Sequence, residues 1–297
     1  MQKIIRRRIL VYLFVLFVCT ESFAQSTVSD QRYKVAVVDL MILKRQKLGA
    51  FQLAKEIGAD GVEVDLGGLG NRPTFDNKLL IDSVRKLFLD KARELQLQIP
   101  SLAMTGYYAQ SFCQRQEFIR SIEDCITTMK LMDVKIAFLP LGVQCDLVKN
   151  PSLRDSVVSR LKIAGKMAKD AGVIIGIETS LAAKAEKKLL KDVGYRSVRS
   201  YFNFSNALKN GRDLNKEIKK LGKKYIVQIH CTDDDGVWLQ NNTRLDLKKV
   251  KKTLDKIHWS GWLVIERSRD AKEPSNVKKN FSANTAYVKS IFQDHSD

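Results

Sequence analysis

Four polar residues stand where short apolar runs stop. Glu178 follows Val173-Ile174-Ile175-Gly176-Ile177, and Asn203 follows Val198-Arg199-Ser200-Tyr201-Phe202. His230 follows Ile226-Val227-Gln228-Ile229, and Glu266 follows Trp262-Leu263-Val264-Ile265. Carboxylate, carboxamide and imidazole groups at one height suit a single divalent ion such as Mn, Co, Zn or Mg. A lone Glu or His in such a place is more often a satisfied structural group. Four in register weaken that explanation. Asp39, Glu63 and Asp65 end earlier apolar runs and are weaker candidates, for substrate contact.

The elements that must hold these residues form a regular cadence. Eight runs are apolar almost throughout, as buried parallel strands are: 33–40, 61–66, 98–104, 135–141, 173–179, 197–203, 225–231 and 261–268. Amphipathic patterns lie between them. Leu79, Val84, Leu87, Phe88 and Ala92 mark one helical face, and Phe118, Ile122, Cys125, Ile126 and Met129 the next. Val157, Leu161, Ala164 and Ala168 mark another, and Val250, Leu254 and Ile257 the last before the final strand. Strands alternating with helices imply βαβ units. Eight such units in one domain of this length imply closure into a single α/β domain, a (β/α)8 barrel of the TIM type, whose active face lies at the strand C-termini. An open doubly wound sheet would more often show a glycine fingerprint after its first strand, and Val38-Asp39-Leu40-Met41 is none. The glycine-rich stretch 67–77 follows the second strand and is expected to form a lid over the active face. Tyr107, Tyr108 and Trp238 fall on loops of that face, where aromatic rings stack on sugars.

The start of the chain has a different character. Lys3, Arg6, Arg7 and Arg8 precede an apolar run from Ile9 to Val18, followed by Ser22-Phe23-Ala24. This is the pattern of a cleaved secretory signal over residues 1–24, leaving a barrel domain over 25–297. The run is short for a membrane span. A lipid anchor at Cys19 is disfavoured by Val18, since a small residue is expected there. The expectation is therefore an exported, periplasmic or secreted protein with no membrane span after cleavage. The formal net charge of +18 stays strongly positive without this segment. Its lysines, such as Lys216, Lys219, Lys220, Lys223 and Lys224, recur as solvated helix faces rather than a nucleic-acid surface. Four cysteines remain: Cys113, Cys125, Cys145 and Cys231. Cys113 and Cys125 are expected on one helix, too far apart to pair, and buried free thiols are the default.

The motifs resemble a family. Ala59-Asp60-Gly61-Val62-Glu63-Val64, Gly176-Ile177-Glu178, Tyr201-Phe202-Asn203-Phe204-Ser205-Asn206-Ala207, Ile229-His230-Cys231-Thr232-Asp233 and Trp259-Ser260-Gly261-Trp262-Leu263-Val264-Ile265-Glu266 resemble the strand motifs of the xylose isomerase-like barrels, the sugar phosphate isomerase/epimerase group. The resemblance implies one divalent metal held by Glu178, position 203, His230 and Glu266, with the two glutamates also acting as acid and base. Glu63, Asp65, Tyr107, Asp233, Trp238 and Arg267 are the candidate substrate-binding residues. Two departures stand out. Position 203 is Asn where the family usually has Asp, and the segment 238–246 lacks the family's usual glycine-rich, acidic character.

The resulting expectation is a metal-dependent carbohydrate isomerase or epimerase. Export favours a free sugar or keto-sugar over a sugar phosphate. The same proton abstraction would serve a keto-sugar lyase or hydratase, and a metal-poor barrel would serve as a carbohydrate-binding protein. A nuclease of the same barrel class needs several histidines for a metal cluster, and this chain has His230, His258 and His295 alone. Association of barrels through their outer helices would make a homo-oligomer, though no decisive apolar patch is evident.

Overall fold

The computed structural model describes residues 31–293; the expected signal segment and His295 lie outside them. Eight strands, β1 (Tyr33–Val38), β2 (Gly61–Asp65), β3 (Leu102–Ala103), β4 (Ile136–Pro140), β5 (Ile174–Glu178), β6 (Val198–Asn203), β7 (Ile226–His230) and β8 (Gly261–Ile265), form a closed barrel in chain order. Every neighbouring pair is parallel, and β8 closes on β1 through Tyr33↔Gly261 to Val37↔Ile265. The fold is a single (β/α)8 TIM barrel, as the cadence of apolar runs predicts.

Side chains alternate along each strand, which sorts them into two layers. Val35, Val37, Val62, Val64, Ile175 and Ile177 point outward into the core shared with the helices. Ala36, Val38, Ala103, Phe138, Tyr201 and Val264 point inward and fill the barrel. Glu178, Asn203, His230 and Glu266 share the inward parity of Gly176, Tyr201, Gln228 and Val264, which lie one step lower. Gly176 is small for a reason: a Cβ there would meet the Tyr201 ring at 3.0 Å. The expected helical faces are buried, except that Val84 and Ile257 are half-buried and Leu87 turns to solvent at 53% exposure.

β3 is much shorter than the run 98–104. Pro100 explains this, because it has no N–H to give the ladder. An isolated bridge joins Gly61 to Gln98, and regular pairing resumes only at Leu102. The stretch 67–77 is fastened rather than free. Phe75 N and Asn77 Nδ2 donate to Asp124 at 3.0 and 2.7 Å, and Asp76 N donates to Gly68 O at 2.9 Å. Cys113 lies in the loop before the helix Phe118–Met132, not on that helix, and is joined to Cys145 in a disulfide with Cα atoms 5.9 Å apart. The loop position frees it to reach the β4–helix connection, so the default of free thiols holds only for Cys125 and Cys231. Among the described residues, no helix is long and apolar enough to cross a membrane.

Candidate active site

Glu178, Asn203 and His230 are the last residues of β5, β6 and β7, and Glu266 follows β8 directly. The register sets Asn203 opposite His230. All four are buried; Glu178, Asn203 and Glu266 line one cavity of about 350 Å³, and His230 joins the group through Glu178. Ligand atoms of Glu178, His230 and Glu266 lie within 4.8 Å of one another.

The side chains form one hydrogen-bonded unit. Glu178 Oε2 receives His230 Nδ1 at 2.7 Å and Asn203 Nδ2 at 2.9 Å. Asn203 Nδ2 also reaches Glu266 Oε2 at 3.3 Å. Tyr108 donates its hydroxyl to Glu266 Oε1 at 2.8 Å, and Asn206 Nδ2 donates to Glu178 Oε1 at 3.3 Å. Burial, then the charges of Glu266 and Glu178, hold the Tyr108 phenol well above its ordinary pKa, so it stays a donor. Burial pulls the His230 pKa down, but the Glu266 charge and the bonds to Glu178 and Glu63 outweigh it and bring it to about 10.

A second polar layer supports this one from below. Glu63 is fully buried, and its Oε2 accepts Tyr201 Oη and Ser101 Oγ, each at 2.6 Å. Its Oε1 and His230 Nε2 have no other partner and face each other at 3.5 Å. That pairing directs Nε2–H downward and turns Nδ1 toward Glu178 and Glu266.

Several expected substrate contacts take other roles. Glu63 lies under the site instead of in the cavity. Asp65 is fully buried, where Arg45 Nε meets its Oδ1 at 2.5 Å and Gly67 N at 2.6 Å. Tyr107 is buried against Phe75 and Phe112, with its hydroxyl on Ser121. Asp233 is gripped by Arg244 through two bonds of 2.6 Å and by Asn242 at 2.8 Å. Trp238 donates Nε1 to Asn280 Oδ1 at 2.7 Å and does not line the cavity. One physical point covers most of these: a polar or aromatic residue near a strand end is equally able to fasten a loop. Arg267 does line the cavity, together with Lys149, Lys209 and Asp146. Tyr108, adjacent to Tyr107, is the aromatic that reaches the site. Asn206 belongs to the same motif as Asn203, and its place about one turn later is the only sequence signal for its contact with Glu178.

The barrel as a whole has known relatives. Residues 51–289 match the family described as xylose isomerase-like TIM barrel. The chain belongs to that family. No curated protein sequence matches it. Among solved structures, it is similar to D-psicose 3-epimerase with D-tagatose from Clostridium cellulolyticum H10, with a TM-score of 0.70 at 12% identity over 88% of this chain and 100% of that one. It is also similar to 3-keto-D-glucoside 4-epimerase from E. coli, with a TM-score of 0.66 at 14% identity over 88% and 99%. A third neighbour is the IOLI protein with a bound zinc atom, with a TM-score of 0.62 at 18% identity over 88% and 100%. At these identities the likeness shows the shared fold.

Proposed function

We propose that this protein is an exported carbohydrate isomerase or epimerase that moves a proton between Glu178 and Glu266 on a carbon next to a carbonyl. The observation that carries the reading is the buried carboxylate pair, with oxygens no more than 4.8 Å apart on a cavity of about 350 Å³. A monosaccharide or keto-sugar ring is of a size to enter it. One carboxylate removes the proton and the other supplies one to the neighbouring carbon or the opposite face. Tyr108 and Asn206 hold the outer oxygens of the pair and so fix which lone pairs face the substrate. Burial keeps bulk water from the reacting carbon.

The donor set also fits a divalent cation. Two carboxylates and an imidazole converge, and the imidazole is oriented from behind by Glu63. Glu178, His230 and Glu266 would hold the ion, which when bound supplies Lewis-acid polarisation of the substrate's oxygens. The structural neighbours named for epimerase activity and for a bound zinc atom support both parts of the reading. The basic, apolar and small-residue start of the chain supports export, and hence an unphosphorylated substrate.

The test is turnover of a panel of free sugars, keto-sugars and sugar phosphates, with Mn, Co, Zn or Mg added in turn. Glu178→Gln should lose activity while its circular dichroism spectrum is unchanged. Unchanged turnover in that variant would sink the mechanism, and turnover of phosphorylated sugars alone would sink the substrate class.

A further inference from the structure

The geometry points to Asn203 as a hydrogen-bond donor clamped across the glutamate pair, and not as a ligand of the metal. The inference rests on the reading that Glu178, His230 and Glu266 hold a divalent ion.

Asn203 has two duties at once, because the end of β6 is also the start of the short helix Phe204–Lys209. Its Oδ1 accepts Ser205 N at 2.8 Å and caps that helix. A cap must be an acceptor, since it answers a backbone N–H. Rotating the amide by half a turn would set its NH2 against the Ser205 N–H, donor to donor. The helix therefore fixes the amide's orientation. The NH2 is left facing the site, where it donates to Glu178 Oε2 and Glu266 Oε2 at 2.9 and 3.3 Å. A carboxamide nitrogen offers two donors and no lone pair for a cation. Asn203 is 6% exposed, so water does not replace these bonds.

Two consequences follow for the site. One amide bridges two like charges and offsets their repulsion, so the pair keeps its spacing with or without a cation. An arriving ion meets three protein ligands rather than four, and its remaining positions belong to substrate or water. A carboxylate at position 203 would keep the cap, because Asp caps as well as Asn. It would also turn the inward-facing donor into a charged ligand.

The experiment is calorimetric titration of MnCl2 into chelator-stripped wild type, Asn203→Asp, Asn203→Ser and His230→Ala, with thermal unfolding of each. Ser keeps an acceptor for the cap but removes the NH2, so a loss of fold is separated from a loss of ligand. The inference expects Asn203→Asp to tighten Mn²⁺ by about tenfold or more, through its added charge. It expects Asn203→Ser to stay within about threefold of wild type, while His230→Ala falls by roughly 100-fold or more as a lost ligand should. Weakening in Asn203→Ser comparable to that in His230→Ala would show the Asn oxygen to be a ligand and overturn the inference. So would an Asn203→Asp no tighter than wild type. Binding in Asn203→Asp alone, with none in wild type, would uphold the role of Asn203 and overturn the metal in the proposed function. Binding in neither would overturn both.

Discussion

The two halves of the barrel mouth use acids in opposite ways. On the side of β1 and β2, Asp39 and Asp65 are fully buried and answered by fixed donors. Asp39 accepts Gln46 N at 2.9 Å and Asp65 N at 3.1 Å, and Asp65 accepts Arg45, Thr105 and Gly67 N. On the side of β5 to β8, Glu178 and Glu266 are answered by side-chain amides, an imidazole and a phenol, and they border a cavity. Three of the donors to the first pair are backbone N–H groups, which cannot turn away, and neither acid lines the cavity, so that pair is structure. The second pair lines the cavity and has side-chain donors alone, which can yield to a substrate or an ion, so it is available for chemistry. The position of an acid at a strand end is shared; access to the cavity and the share of backbone donors separate the roles.

The strongest way to break this contrast is to neutralise one acid from each half. Glu178→Gln should lower turnover by about 10²- to 10⁴-fold, the usual worth of an acid–base group, and leave the unfolding temperature nearly unchanged. Asp65→Asn should do the reverse. The amide oxygen would keep Arg45 and Gly67, but the new NH2 would replace the acceptor of the Thr105 hydroxyl and the buried Arg45 contact would lose its counter-charge, costing about 2–3 kcal/mol of stability in denaturant titration with kcat retained.

Next comes an acid with too few donors. Glu186, on the helix Ala183–Val193, is buried behind β5, and its Oε1 has no partner. Burial chiefly, with the Glu178 and Glu217 charges, raises its pKa to about 7 against the nearby hydroxyls, of which Thr179 donates to Oε2 at 3.0 Å. The folded state therefore holds a proton that the unfolded chain gives up near pH 4.5. Stability from this group is complete below that pH and falls as pH rises to about 7, by up to about 3 kcal/mol. Glu186→Gln should remove this slope in unfolding experiments from pH 4.5 to pH 8; an identical slope in the variant would refute the assignment.

A smaller effect concerns Glu63. Glu63→Gln should weaken the metal site about 10- to 100-fold, as loss of an outer partner of a ligating histidine does. Metal titration beside a thermal melt separates this from unfolding. The smallest contrast is between adjacent tyrosines. Tyr108→Phe should reduce kcat by roughly tenfold, about one hydrogen bond to a charged group. Tyr107→Phe should lower stability alone, because its hydroxyl meets Ser121 in the core.

Much of this was legible along the chain. Period-two parity puts Glu178, Asn203, His230 and Glu266 on the inner side of their strands once those strands are known to be parallel and in order. The apolar runs supplied both facts, since burial on two faces leaves a mark on every residue. Tyr107 and Tyr108 could not be told apart, because neighbours in a short helical turn point in different directions that only packing reveals. Pro100 did announce the interruption of β3, though the apolar run around it masked the signal.

The sequence by itself determined the barrel, the order of its strands and which polar residues crown β5 to β8, because those follow from local periodicity and burial. The tertiary structure alone decided what each polar group does. Arg45 finds Asp65, Tyr108 finds Glu266 and Cys113 finds Cys145 across 20, 158 and 32 residues of chain. The Asn203 amide is turned by the helix it begins. Hydrogen bonds act over about 3 Å, so a group's chemistry is set by what folding brings that close, and no reading along the chain contains that distance.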